Sequence, residues 1–102
     1  MTRNGLPIIH PGEMLRDEIE ELGLSAAAFA RALSVPTNRI TQILKGQRAI
    51  SAETSLRFAR YFSCSEEFWL NLQTNYDLRT TEKAEGKRIT REVQPKPIAD
   101  AA

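Results

Sequence analysis

Apolar residues recur along this chain at the three- and four-residue spacing of amphipathic helices, and no run alternates as a half-buried strand would. The first such segment predicts a helix over about Pro11–Leu22, because proline suits a first helical position and Gly23 can end the helix. Leu15, Ile19 and Leu22 would form its inner stripe. The pattern favours an all-α protein.

Similar signals delimit four further helices. Ser25 and Ser51 are suitable N-caps for the second and the fourth. The third is predicted over about residues 37–45, with Gly46 at its end, and the fifth follows Ser65. The apolar residues expected on the inner faces are Ala26, Phe29, Ala30 and Leu33 in the second helix, Leu56, Ala59 and Phe62 or their neighbours in the fourth, and Phe68, Trp69, Leu72 and Tyr76 along the fifth.

The chain changes character after about Leu78. Residues 79–102 combine many charged residues with prolines and few large apolar groups, so they cannot order themselves by burial. We expect a folded domain over 1–78 and a charged tail over 79–102 that is partly helical at first and then mobile. The chain has 102 residues, enough for one small core, and five short helices with short links predict one orthogonal bundle.

Only Ser34, Val35 and Pro36 separate the second and third helices. A link of this length forces the sharp angle of a helix-turn-helix. Ala30 is small where the two helices approach, and Ile40 is apolar where the third helix meets the core. The turn often holds glycine at the position of Ser34, because the backbone there adopts a left-handed conformation.

The exposed face of the third helix consists of neutral and basic hydrogen-bonding residues. No acidic residue occurs from Leu22 to Ala52, which would leave this part of the chain attractive to phosphates. Such a face suits the major groove, where amide, hydroxyl and guanidinium groups match base edges; the alternative is an ordinary solvated face. The predicted base contacts are Thr37, Asn38, Arg39, Thr41 and Gln42, and the predicted phosphate contacts are Arg31, Lys45 and Arg48.

Composition gives little support to other classes of function. The net charge is +1, and no apolar run approaches the ~20 residues of a membrane span. The single cysteine, Cys64, cannot form an internal disulfide, so a reducing cytoplasm is the simplest setting. His10 is the sole histidine, and the chain has no glycine-rich phosphate loop. We therefore expect neither an enzyme nor a bound metal or cofactor.

Three stretches resemble HigA-type antitoxins (also described as VapI-like) of the Xre/Cro helix-turn-helix family. They are IHPGEMLRDEI at 9–19, FARALSVPTNRITQILKGQRAIS at 29–51 and LRFARYFSCSEEFWLNLQTNYDL at 56–78. The resemblance implies a lambda-repressor-like helical bundle that dimerises, binds an inverted-repeat operator and represses its own operon. It also implies that the protein neutralises a HigB-like, mRNA-cleaving toxin of the RelE type.

The fifth helix carries more aromatic surface than one small core should need. A two-fold dimer contact would use it, since aromatic residues are common interface anchors. The alternative is that Trp69 caps the core beside the first helix. The predicted dimer interface consists of Phe68, Trp69, Leu72 and Tyr76.

Two other functions stay open at this point. One is a stand-alone repressor without a toxin partner. The other is a toxin-binding protein that has lost DNA binding, because Ser34 departs from the usual turn and Ala26 stands where family members often have a glutamine that contacts the DNA backbone. The acidic face of the first helix could meet a basic toxin, although simple solvation explains it as well.

Overall fold

Five α-helices follow one another in the computed structural model, which describes residues 8–98. No strand occurs in this part of the chain. Helices α1 and α3 pack together, α2 lies against α3 and α4, and α5 closes the bundle against α1 and α4. The helices are α1 Pro11–Glu21, α2 Ala26–Leu33, α3 Thr37–Leu44, α4 Ala52–Phe62 and α5 Phe68–Glu92. The predicted all-α bundle is confirmed.

The predicted helix boundaries are confirmed at most ends. The Oγ atoms of Ser25 and Ser51 accept hydrogen bonds from the backbone N–H groups of Ala28 and Thr54, at 3.1 and 3.2 Å. Gly23 and Gly46 follow α1 and α3 with φ of 71° and 73°, in the left-handed region that glycine adopts without strain. Helix α5 begins at Phe68 rather than directly after Ser65.

His10 caps the start of α1. Its Nδ1 accepts a hydrogen bond from the backbone N–H of Gly12 at 2.9 Å, and Pro11 occupies the first helical position. Burial lowers the pKa of His10 below its ordinary value, although the negative charges of Asp77 and Glu13 oppose the shift. Near neutral pH the imidazole is therefore uncharged, which Nδ1 requires in order to accept.

Helices α1 and α3 cross at very short range. A Cβ placed on Gly12 would collide with the backbone carbonyl of Ile43, so no larger residue fits without moving one helix. Ile40 and Ile43 are fully buried at this crossing. The packing therefore fixes which side of α3 faces the core.

Two of the predicted inner residues are wrong. Leu22 is 51% exposed, because α1 ends at Glu21 and the chain turns before Leu24, which packs against the core instead. Leu56 is 50% exposed, because the inner face of α4 runs through Ser55 and Phe58, and Leu56 lies on the other side of the helix.

Trp69 belongs to the core of this chain and not to the predicted dimer surface. It is 2% exposed, and its ring meets Phe58 edge-on at 5.2 Å and Phe62 at 5.6 Å between centroids. A side chain buried among its own helices cannot anchor a second protomer. Phe68 is 40% exposed, whereas Leu72 and Tyr76 are partly buried.

Helix α5 runs past the predicted domain boundary at residue 78 and continues to Glu92. At 25 residues it is about 37 Å long. Ion pairs within the helix support its charged second half: Arg79 pairs with Glu82 at 3.2 Å, and Arg88 pairs with Glu85 and, at 2.9 Å, with Glu92. The division into a domain and a mobile tail stays a prediction, but the first part of residues 79–102 is helical.

Candidate nucleic-acid interface

The turn between α2 and α3 ends α2 sharply and sets the direction in which α3 begins. Ser34 has φ 59° and ψ 46°, the left-handed conformation that the sequence predicted. The N–H of Ser34 donates to the carbonyl of Arg31 at 3.1 Å, and that of Val35 donates to Ala30 at 3.0 Å. Pro36 then precedes the first residue of α3. These bonds satisfy the last carbonyls of α2 and make the turn rigid.

The outer face of α3 presents the predicted polar residues to solvent. Thr37 and Asn38 are exposed in its first turn, while Thr41 and Gln42 are half-buried one turn later. The Oγ1 of Thr41 donates to the carbonyl of Asn38 at 3.3 Å, which leaves its methyl group and lone pairs for other contacts. The first turn of a recognition helix is the part that meets base edges.

Gln42 and Arg48 are joined. The Nη1 of Arg48 donates to the Oε1 of Gln42 at 3.0 Å. This bond holds the Gln42 amide by its oxygen and brings the charge of Arg48 back from the following loop towards α3. A predicted base contact and a predicted phosphate contact thus form one unit.

Arg39 lies apart from the other predicted base contacts. Its Nη1 forms an ion pair with the Oε1 of Glu53 at 2.6 Å, and its side chain is only 23% exposed. In this arrangement the guanidinium holds α3 against the start of α4.

Glu53 and Arg57 are functional candidates that the sequence reasoning missed. Arg57 donates to the Oε2 of Glu53 and, through Nη1, to the last carbonyl of α2 at Leu33, at 2.8 Å. The hydrogen bonds from Arg57 and then from Arg39 lower the pKa of Glu53. The spacing of four residues between Glu53 and Arg57 was a visible signal for a helical pair, but the link to Arg39 required the fold.

The remaining predicted phosphate contacts lie on the surface. Arg31 is exposed in the last turn of α2, and Lys45 is exposed at the C-cap of α3. Arg16 of α1 also reaches this end of α3, where its Nη2 donates to the carbonyl of Leu44 at 3.1 Å. Arg16, Lys45 and Arg48 therefore lie around the C-terminal end of α3.

Other kinds of site find little support in residues 8–98. No group of three or more histidine, cysteine, aspartate or glutamate side chains is placed to hold a metal ion there. None of the described helices carries an apolar stretch long enough to span a bilayer. An open groove between α2 and α4 is lined by Ala32, Leu33, Glu53, Leu56, Arg57, Arg60 and Tyr61.

A family model described as helix-turn-helix matches residues 15–69, more than half of the chain. Virulence-associated protein I of Dichelobacter nodosus is 50% identical over 82 residues, which cover 79% of this chain and 76% of that protein. An addiction module antidote protein of the HigA family from Coxiella burnetii has 48% identity and a TM-score of 0.85, covering 88% of this chain and 99% of that one. This chain belongs to the HigA group of the helix-turn-helix family.

This chain is about as similar to Pseudomonas aeruginosa antitoxin HigA, whose structure includes the higBA promoter, as it is to the Coxiella protein. It shares 47% identity with this chain at a TM-score of 0.85, and the match covers 89% of this chain and all of that one. The resemblance to HigA antitoxins and the five-helix fold are both confirmed. HigA proteins are antitoxins and transcriptional regulators.

Replacing Ser34 by glycine should stabilise this HigA protein. A left-handed conformation costs an L-residue about 1–2 kcal/mol, and glycine removes this cost. The greater freedom of glycine in the unfolded chain offsets part of the stabilisation. We expect Ser34→Gly to raise the free energy of unfolding by about 0.5–1 kcal/mol in denaturant melts. Ser34→Ala is the matched control, because it removes the same hydroxyl but keeps Cβ, and it should bring no gain. A destabilised Ser34→Gly would show that the hydroxyl contributes more than the backbone strain costs.

Proposed function

We propose that this chain is the antitoxin of a type II toxin–antitoxin module. It binds an inverted-repeat operator in its own promoter as a dimer, represses its operon and neutralises a HigB-like, mRNA-cleaving toxin in the cytoplasm. The observation that carries the proposal is the outer face of α3, where Gln42 is held by Arg48 beside the exposed Asn38. The promoter complex of the similar Pseudomonas HigA supports it.

Base recognition and phosphate binding fall to different residues of this surface. Asn38 and Gln42, with Thr37 and Thr41, offer amides and hydroxyls to base edges in the major groove. Lys45, Arg48 and Arg31 lie around them and bind phosphates, which carry no sequence information. Arg39 forms an ion pair with Glu53, and its role is to hold α3 in place.

Substitutions in the Gln42–Arg48 unit should separate the two roles. Gln42→Ala should weaken operator binding by about 1–3 kcal/mol and leave binding to random DNA nearly unchanged. Arg48→Ala should weaken both, and should reduce the dependence of log K on log salt by about one per half-site. Salt titrations on operator and scrambled duplexes measure both effects.

Arg60→Ala is the control for these measurements, because Arg60 is an exposed arginine in the last turn of α4 that is not among the predicted DNA contacts. Its binding should match that of the wild type. Should Gln42→Ala and Asn38→Ala both retain the full operator preference, α3 does not recognise bases. A toxin-binding protein without operator specificity would then be the better description.

The dimer is expected to use the exposed part of α5 near its start. Phe68 is the large apolar residue of the predicted interface that remains accessible, and Leu72 and Tyr76 follow at helical spacing on the same side. A carboxylate at Trp69 would unfold the core, so it cannot test the interface.

Phe68→Asp should yield a folded monomer, because a charge in an apolar interface has no partner and must be desolvated. Operator binding should fall sharply, since each half-site then binds alone. Light scattering reports the mass, and circular dichroism reports the fold. Thr74→Asp is the matched control, because Thr74 is exposed on roughly the opposite side of α5, and this variant should remain dimeric. A dimeric Phe68→Asp with wild-type affinity would exclude this face.

Co-purification decides between an antitoxin and a stand-alone repressor. The product of the reading frame adjacent to this gene should bind the chain and lose its mRNA cleavage activity when bound. A neighbour that neither binds nor cleaves mRNA would favour a repressor without a toxin partner. The operator experiments are independent of this outcome, because they use the chain without the product of the neighbouring reading frame.

A further inference from the structure

We infer that Gln73 of α5 is a positioning residue for DNA binding, because it fixes the loop that carries Arg48. Its amide bridges the loop between α3 and α4 to the side chain of Asp77; these two hydrogen bonds are called the Gln73 bridge here. The DNA part of the inference rests on the proposed function, while the effect on the loop does not.

The bridge is buried and its orientation is fixed. Gln73 is 5% exposed, and its Oε1 accepts from the backbone N–H of Ile50 at 2.8 Å. Its Nε2 donates to the Oδ1 of Asp77 at 2.9 Å, so the oxygen end of the amide must face the loop. Ile50 is itself a core residue, and its N–H would lack a protein partner without Gln73. An unsatisfied buried donor is costly, so the loop would move to reach water.

Arg48 lies between two anchored points of this loop. Before it, the N–H of Gln47 donates to the carbonyl of Gln42 at 2.8 Å, which ties the loop to α3. After it, Ile50 is tied to Gln73 on α5. The bond from the Arg48 guanidinium to Gln42 spans six residues and depends on both anchors. Loss of the second anchor therefore releases a phosphate contact together with the partner of a base contact.

The same turn of α5 also contacts the start of α1. The ring of Tyr76 meets that of His10 edge-on at 4.8 Å between centroids. One turn of α5 thus touches the cap of α1 and the loop after α3, both of which lie near the C-terminal end of α3. Helix α5 is also the proposed dimer element, so the bridge connects dimerisation with the position of the phosphate-binding loop.

Hydrogen exchange in the free protein tests the bridge without DNA. Gln73→Met keeps the length of the side chain and removes the strong acceptor, so the amide of Ile50 should exchange about tenfold faster relative to those of α2. Ile19→Val is the matched control, because it weakens the core at α1, far along the chain from the loop. An exchange pattern that is the same in both variants at matched thermal stability would overturn the inference.

DNA binding tests the functional part, with a duplex covering the sequence immediately upstream of this chain's own gene. At a temperature where all variants are folded, Gln73→Met should bind about tenfold more weakly, a factor that corresponds to roughly 1.4 kcal/mol. The salt dependence should fall by about one per half-site, as for loss of Arg48. Ile19→Val should bind like the wild type.

Exchanging the amide of Gln73 and the carboxylate of Asp77 keeps the net charge and tests whether the bridge can be rebuilt. Gln73→Glu keeps an acceptor for Ile50 but places a carboxylate against that of Asp77, and it should bind more weakly than the wild type. Adding Asp77→Asn supplies an amide at position 77 that donates to the new carboxylate, with the net charge of the wild type, and should restore affinity and salt dependence. A double variant no better than Gln73→Glu, or a Gln73→Met with wild-type binding, would overturn the role. A wild-type chain that fails to bind the duplex would refute the proposed function, and hydrogen exchange would still decide the role of the bridge.

Discussion

The close crossing of α1 and α3 at Gly12 is the constraint on which the rest of the site depends. Because a Cβ there would collide with the carbonyl of Ile43, the two backbones are in direct contact and α3 cannot shift towards α1. Ile40 and Ile43 fill the core beneath this crossing. With these two residues buried, the opposite side of α3 must face solvent, and that side carries Asn38 and Gln42. The chemistry of the exposed face is thus a consequence of how the apolar face packs.

Electrostatic contacts around α3 determine orientation more than stability. Ion pairs between exposed groups contribute little to the free energy of folding, yet Glu53 joins α3 to α4 through Arg39 and meets the C-terminal end of α2 through Arg57. Glu53 is also the first acidic residue after a long acid-free stretch. The hydrogen bonds from Arg57 and Arg39 lower the pKa of its carboxyl group, and the positive charges of these arginines compensate its negative charge close to the proposed phosphate-binding surface.

Local signals in the sequence were sufficient for the helices, their serine caps and the polar face of α3, because these depend on neighbours within one turn. Long-range packing decided the rest. The rotation of α4 about its own axis places Phe58 in the core and Leu56 on the surface. The aromatic residues of α5 that suggested a dimer surface included Trp69, which instead fills the core against Phe58. The ion pair of Arg39, a predicted base contact, was not visible in the sequence, because its partner Glu53 is fourteen residues away, beyond the reach of helical spacing.

Helix α5 combines two properties that are usually separate. Its first turns are part of the core through Trp69, whereas its second half is held mainly by ion pairs such as that of Arg88 with Glu92 and extends to the end of the helix without a break. A continuous helix transmits a displacement at one end to the other. The Gln73 bridge links α5, the proposed dimer element, to the loop of Arg48, and thermodynamic linkage makes any coupling between the two reciprocal. The proposed DNA contact of α3 and the proposed dimer contact of α5 would therefore be coupled through the bridge.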